Sequence, residues 1–404
     1  MGWGPAAAEM SDRLLVLDAG PSGLTFAVYG VPAHDADVTR ICGGRLEGIG
    51  PKPRFSVIDA AGKAAEGAAA PLPAIPTLAA ALTFLLGWLK ETGNGAPLSG
   101  VGHRVAHGGT ALAEHCRLTP TIVERIAALE PLSPHRQPHN LAGIRALLQL
   151  LPDLPQVACF ETAFHAMQPP EAHRLALPRE YESQGVRRFG FHGLSYEDVC
   201  QRLRDLGSGR MPERVIIARL GNGASMCALR GGRSIATTMG FSTLDGLMMG
   251  TRGGSLDPGV ILHLLRADGL KLRQLEDLLY NRSGLLGLSG VSADMKTLLA
   301  SDDPRARDAV DQFCYAAIRH LGSLAAALGG LDALVFTGGI GVNAAPVRAG
   351  ICEGAAWLGL VFDPAANAAG GPAISHVKSA VGAWVIAADE ERLIARHTRR
   401  LLDI

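Results

Sequence analysis

The chain has no net charge: 38 lysines and arginines stand against 38 aspartates and glutamates. It therefore has no broad basic field to draw nucleic acid or an anionic membrane, and neither is expected as a partner. An anionic ligand has to be held by a local constellation. No Cys-x-x-Cys pair occurs, and the seven cysteines (Cys42, Cys116, Cys159, Cys200, Cys227, Cys314 and Cys352) are scattered and odd in number. That pattern argues against a disulfide framework or a zinc site and for a reducing compartment. Single buried thiols are the plain reading. Residues 1–10 are rich in small side chains and lack the basic-then-apolar pattern of a signal peptide. The most apolar run, residues 78–89, falls short of the roughly 20 residues of a membrane span and reads as a packed helix. A cytoplasmic location is expected. No Walker-type G-x-x-x-x-G-K-[ST] is present, and no G-x-G-x-x-G opens a helix. A bound nucleotide would need another scaffold.

What is present is enough chain for two domains or one large one: 404 residues, 48% of them hydrophobic and 19% charged, the balance of a globular protein with a sizeable core. Residues 14–18 (LLVLD) run into Ala19-Gly20-Pro21-Ser22-Gly23 and then a second β-prone run, 25–29. Together they read as a hairpin. A similar unit recurs at 215–218 (VIIA), followed by Leu220-Gly221-Asn222-Gly223-Ala224-Ser225 and the apolar Met226-Cys227-Ala228-Leu229. A third apolar run, 333–336 (ALVF), leads into Thr337-Gly338-Gly339-Ile340-Gly341. Small-residue turns at strand ends let backbone N–H groups approach phosphates. Helical patterns over 195–206, 306–328 and 389–402 alternate with these runs, so the class is α/β. The two hairpins hint at an internal duplication. The stretches 131–138 and 365–372 read as loops.

Over residues 14–398 the chain resembles the acetate kinase family, within the superfamily of acetate and sugar kinases and actin-like ATPases. The resemblance is carried by Gly102-His103-Arg104-Val105-Ala106-His107-Gly108-Gly109, Phe160-Glu161-Thr162-Ala163-Phe164-His165, Arg187-Arg188-Phe189-Gly190-Phe191-His192-Gly193 and residues 220–225. Met239-Gly240-Phe241, Gly246-Leu247-Met248-Met249-Gly250-Thr251-Arg252, Ser289-Gly290-Val291-Ser292, residues 336–341 and Asp389-Glu390-Glu391 follow in family order. The resemblance implies two similar actin-like (ribonuclease H-like) α/β domains with a cleft between them. Residues 12–162 with a returning helix at 389–404 would form the acceptor side, and 163–388 a nucleotide-binding and dimerising domain. It implies phosphoryl transfer from ATP to a short-chain carboxylate, with Mg²⁺, in a homodimer.

Such chemistry asks for positioning and charge neutralisation more than covalent help. The acid, with a pKa of about 4–5, is already ionised at neutral pH. By resemblance, Arg104 takes the acceptor carboxylate and Arg252 the transferring phosphoryl group, each with a fork suited to two oxygens. His192 donates to the phosphoryl oxygens, and Glu161 supplies the acidic group of the site. The acceptor pocket falls on Ala106, His135, Phe191 and Thr243. The nucleotide side falls on Thr25, Arg219, Leu220, Gly221, Asn222, Gly223, Asp294, Met295, Lys296, Gly339, Ile340, Gly341, Val342 and Asn343. Asp18 and Glu390 are the metal-linked carboxylates. Taken without the resemblance, Asp389-Glu390-Glu391 is a charged first helical turn favoured by the macrodipole.

Several positions depart from the family pattern. Thr25 replaces a lysine, Asp18 an asparagine, and Glu161 an aspartate one methylene shorter. Pro21 removes a backbone donor from the first turn. Arg136 and Arg219 replace histidines, and are expected to offset the missing lysine and the added Asp18. Val342 replaces a glutamate. In the acceptor pocket Ala106 stands in place of valine, Thr243 of proline and His135 of leucine; alanine frees space whereas histidine adds a polar edge, and tolerance for acceptors longer than acetate, such as propionate, is expected. Two other readings keep the fold: a different donor or acceptor, for example pyrophosphate, or a weakened paralogue that binds nucleotide without useful turnover.

Overall fold

The computed structural model describes residues 12–21, 23–32, 37–64, 72–93 and 97–404. Ser22 of the first turn and residues 1–10 lie outside them. The chain divides into two compact units, Met1–Ala163 with Asp389–Ile404, and Phe164–Ala388.

The first unit is built on a seven-stranded sheet of β1 (Asp12–Gly20), β2 (Gly23–Val31), β3 (Thr39–Glu47), β4 (Arg54–Asp59), β5 (Gly100–Val105), β6 (Cys116–Arg117) and β7 (Gln156–Phe160). Their order is β4-β3-β2-β1-β5-β7-β6. The expected first hairpin is there: β1 and β2 pair antiparallel from Asp12↔Val31 to Gly20↔Gly23. Alternation sends Leu15, Leu17, Leu24, Phe26 and Val28 to one face. There they pack with Ala81, Leu82, Leu85 and Leu89 of the helix Leu78–Thr92 and with Leu147 of the helix Gln137–Leu150. Full burial of each leucine is worth about 1.5–3 kcal/mol. The opposite face carries the C-terminal helix, Glu390–Leu402, capped by Asp389, whose side chain accepts from the Arg392 backbone N–H. That helix lies hard against β5. A Cβ on Gly102 would fall 2.2 Å from Thr398 Oγ1 and 2.6 Å from Ile394 Cγ2, so only glycine admits it.

The second unit has a five-stranded sheet of β8 (Arg214–Arg219), β9 (Ser225–Arg230), β10 (Arg233–Thr237), β11 (Ala333–Thr337) and β12 (Gly382–Val385), in the order β10-β9-β8-β11-β12. One face, with Ile216, Ala218, Met226, Ala228, Leu334 and Phe336, packs the helix Pro304–Leu328. The other, with Val215, Ile217, Cys227, Leu229 and Val335, packs the helix Gly193–Leu206.

The duplication hinted at by the sequence extends well beyond the hairpins. Taken in chain order, β1, β2, β3, β5 and β7 stand in the same order as β8, β9, β10, β11 and β12. In each set the first three strands are antiparallel and the last two run parallel to the first. Two stretches read as loops are partly helical. The residues around Pro131 form a 3-10 turn, Glu130–Leu132, and Pro138 sits in the first turn of Gln137–Leu150. Near residue 365 a short helix, Pro364–Ala368, is capped by Asp363. Proline is tolerated at those first-turn positions because the N–H it lacks would have no intrahelical partner. Among the described residues, no helix is long and apolar enough to cross a membrane.

Candidate active site

In the first unit the end of β1, the end of β5, the residue after β7 and the first turn of the C-terminal helix bring Asp18, Arg104, Glu161 and Glu390 into one charged cluster. Parallel pairing of Leu17 with His103 aligns the two strands and sets Asp18 beside Arg104. The Arg104 side chain donates from Nε to Glu161 Oε1, with Nη1 2.8 Å from Glu390 Oε2 and 3.4 Å from Asp18 Oδ2. Arg136, the residue before Gln137–Leu150, reaches Asp18 at 3.2 Å. Burial alone would lower the pKa of Arg104; the carboxylates of Glu161, Glu390 and Asp18 more than offset it and hold the value above its ordinary one. Three carboxylates against two guanidinia leave one negative charge.

The oxygens of Asp18 and Glu390 are hard donors of the kind a small divalent cation takes. Mg²⁺ binds through one or two carboxylates and keeps its other positions for water and phosphate. The residues present thus fit such an ion.

Antiparallel pairing also places Thr25 opposite Asp18 and Arg45 opposite Thr25, so the three share one face of the sheet. Arg45 is exposed. It escaped notice in the sequence because nothing between β2 and β3 fixes their register. Arg136, expected to offset Asp18, does sit on it. Ala106 is buried, and its backbone N–H donates to Asn140 Oδ1 at 3.0 Å; His135 is exposed.

In the second unit the turn after β8 collects the remaining groups. Leu220 is buried and its backbone is fully used: its N–H donates to Thr337 O at 2.8 Å, and its carbonyl accepts from Ile340 at 2.9 Å and Gly341 at 3.1 Å. Leu220 therefore ties the turn to the Gly338–Asn343 helix; of the rest of the turn Gly221 is buried, Asn222 exposed and Gly223 half-buried. The Arg219 guanidinium braces it, donating to Gly223 O at 3.0 Å and Ser195 Oγ at 3.2 Å.

His192 has a left-handed backbone (φ 60°) just ahead of Gly193–Leu206. Its Nδ1 lies 2.8 Å from Ser225 Oγ, itself 2.5 Å from Tyr196 Oη. Arg252 donates to Thr243 O at 2.8 Å. A Cβ on Gly223 would fall 2.9 Å from Arg252 Nη2 and 3.4 Å from His192 Nε2. The bare flank of Gly223 is thus where the arginine and the histidine converge. Phe191, next to His192, is buried in the core.

The residues expected on the adenosine side are more dispersed in role. Gly339 is exposed with open space where a Cβ would be, and Asn343 Nδ2 donates to Gly339 O at 2.9 Å. Ile340 and Gly341 are buried, and the Val342 carbonyl accepts from the buried Arg348 at 2.7 Å. Asp294 caps the helix Met295–Leu299, accepting from Thr297 N at 3.0 Å and Oγ1 at 2.8 Å; these bonds hold its carboxyl below the ordinary range. Met295 points into the core, and Lys296 is exposed. Sequence reasoning also missed Ser225 and Tyr196, which orient His192. Their spacing from it carries no motif.

A doubled sheet of this order, with strand-end turns that hold arginine, histidine and carboxylate groups, defines a phosphotransferase of the actin-like ATPase class. The chain belongs to the Acetokinase family, whose model matches residues 13–396. It is 51% identical over 397 residues to an acetate kinase of Rhodopseudomonas palustris, covering 98% of this chain and 99% of the relative. Among solved structures it is similar to the acetate kinase of Porphyromonas gingivalis (TM-score 0.86, 34% identity, 97% of this chain and 100% of the other). It is similar also to a propionate kinase of Francisella tularensis (TM-score 0.88, 32% identity, 96% and 100%).

Proposed function

We propose that this enzyme transfers the terminal phosphoryl group of ATP reversibly to acetate or another short-chain carboxylate such as propionate, giving an acyl phosphate and ADP. The observation that carries the reading is the convergence of Arg252 and His192 on the bare flank of Gly223. Two donors at a glycine turn suit three equatorial oxygens whose charge must be met as the group moves.

The carboxylate needs no base, because it is already ionised. Arg104, kept cationic by its acidic neighbours, takes the acceptor carboxylate. If Tyr196 donates to Ser225 and Ser225 to His192 Nδ1, Nε2 carries the proton and can donate to a phosphoryl oxygen. Arg252, anchored by the Thr243 carbonyl, supplies the permanent charge on that group. Glu390 and Asp18 would hold Mg²⁺, which when bound would supply neutralisation of phosphate charge. Glu161 holds Arg104 in place. Arg45 replaces the cation that Thr25 lacks: the two are cross-strand neighbours about 5 Å apart at Cβ, within an arginine's reach.

Gly221, Asn222 and Gly223 take the phosphates, and Gly339, Asn343 and Lys296 the adenosine side. We assign the acceptor to Ala106 and His135 of the first unit and to Phe191 and Thr243 of the second, as the family resemblance implies, and the small side chain at Ala106 supports propionate beside acetate. We place the enzyme in the cytoplasm as a homodimer. The helix Pro258–Arg266 supports that assembly: none of its residues is buried, and Val260, Leu262 and Leu265 are exposed, as are Leu256 and Leu272 beside it.

A second reading keeps the acceptor and takes pyrophosphate as donor. It is favoured by the threonine at position 25 and by the capping role of Asp294. Phosphorus NMR of acetyl phosphate mixed with Mg²⁺ and either ADP or phosphate separates the two. ATP should appear with ADP; pyrophosphate formed from phosphate, with no ATP from ADP, would overturn the first reading.

A further inference from the structure

The motif residue His165 is not used by the chemistry above, yet it lies against the segment that presents His192. It ends the 3-10 turn Ala163–His165 and is buried. Its Nε2 is 3.0 Å from the Phe191 carbonyl oxygen, and its Nδ1 is 2.8 Å from Ser234 Oγ. A carbonyl only accepts, so Nε2 carries the hydrogen and donates to Phe191 O. The bare Nδ1 then accepts from the Ser234 hydroxyl.

Behind it the polarity closes. Gln168 Nε2 donates to Ser234 Oγ at 2.8 Å, and Cys227 Sγ lies 3.2 Å from the same oxygen. Burial pushes the Cys227 thiol up, so it stays a donor, and pushes His165 down to about 4, so it stays neutral.

The same imidazole lies against Gly190. That residue has φ 75°, and a Cβ on it would fall 2.7 Å from Cγ and Cδ2 of His165. Gly190-Phe191-His192 therefore has left-handed backbone at both ends, and the middle carbonyl is pinned by one buried donor. A left-handed conformation at a residue with a side chain persists where its surroundings over-determine it.

We infer that His165 is a positioning residue for His192. Its Nε2–H fixes the Phe191 peptide, and with it the left-handed turn that aims the His192 ring. The inference rests on the reading of His192 as the donor to the transferring phosphoryl group.

The test compares His165→Gln, His165→Asn and His165→Leu with wild type by kcat and KM for acyl phosphate formation, by thermal unfolding, and by nitrogen NMR of the His192 ring. A Gln amide can occupy the place of Nε2; an Asn amide reaches only that of Nδ1. Asn and Leu should lower kcat about 100-fold with KM nearly unchanged, the loss expected for misplacing a group by about 1 Å. Gln should stay within about fivefold of wild type, and the His192 signals should move in Asn and Leu but not in Gln. Equal kcat for Asn and Gln, or unmoved His192 signals in Asn, would overturn the inference. If Leu fails to fold, the Asn and Gln pair decides. A wild type with no activity, but with His192 signals that move in Asn and not in Gln, would overturn the proposed function and leave the positioning role standing.

Discussion

Gly223→Ala should damage catalysis far more than it damages the fold. The backbone at Gly223 is not left-handed, so alanine costs no strain there. The added methyl would lie 2.9 Å from Arg252 Nη2, against an unstrained separation of about 3.5 Å. That leaves the guanidinium to retreat by about half an ångström or more. It is the far end of a flexible side chain, so it can. The retreat weakens its 2.8 Å bond to Thr243 O, a charge-assisted bond worth about 1.5–3 kcal/mol when fully lost. His192 Nε2, at 3.4 Å, stays in contact with the methyl. Taking one donor from the transition state costs about 10²–10³ in kcat, or about 2.7–4 kcal/mol. The assay is steady-state kinetics at saturating Mg²⁺-ATP and acetate, with Gly339→Ala as control. A methyl at 339 meets nothing within 4 Å, so that variant should keep its kcat and raise KM for ATP. A Gly223→Ala enzyme with kcat within threefold of wild type would refute the placement of Arg252 on the transferring group.

Acid should destabilise the protein before its carboxylates titrate. Burial depresses His103, His107 and His165 to about 4 from an ordinary 6.5. Between those values the unfolded chain binds more protons, so stability is full above pH 6.5 and is lost as pH falls toward 4. The slope is about 1.4 kcal/mol per pH unit for each histidine, and unfolding free energies unchanged from pH 7 to 5 would contradict it. Arg45→Ala should raise KM for ATP about tenfold and leave KM for acetate unchanged; titration of both substrates checks this. Glu390→Gln should raise the Mg²⁺ concentration needed for half-maximal rate, read from a metal titration. Leu262→Glu, at a position 48% exposed on the apolar helix, should give monomers by analytical ultracentrifugation if that face joins two copies.

The parts of the fold legible in the sequence are those where local pattern and tertiary demand agree. LLVLD ahead of a glycine turn became β1, and the periodic run from 306 became the helix Pro304–Leu328. The stretch near residue 131 misled because proline signals a break yet also suits a first helical turn. At the site, motif positions carried Arg104, His192 and Arg252. The partners that decide what these groups can do come from across the sheet or across the chain. Ser225 lies 33 residues from His192, and Arg45 faces Thr25 only through a register that no sequence motif fixes. Asp294 is assigned to the nucleotide side only through the family resemblance, and its capping bonds to Thr297 appear only with the helix in place.

The central claim is that a phosphoryl group passes from ATP to a carboxylate under Arg252 and His192. Its most direct test is acyl phosphate formation from Mg²⁺-ATP, trapped with hydroxylamine, with acetate, propionate and butyrate in parallel and Arg252→Ala beside the wild type. The account predicts product with acetate and propionate and at least a 100-fold loss in the variant. Folded protein that binds ATP yet forms no acyl phosphate with any acid, or an Arg252→Ala enzyme as fast as wild type, would contradict it.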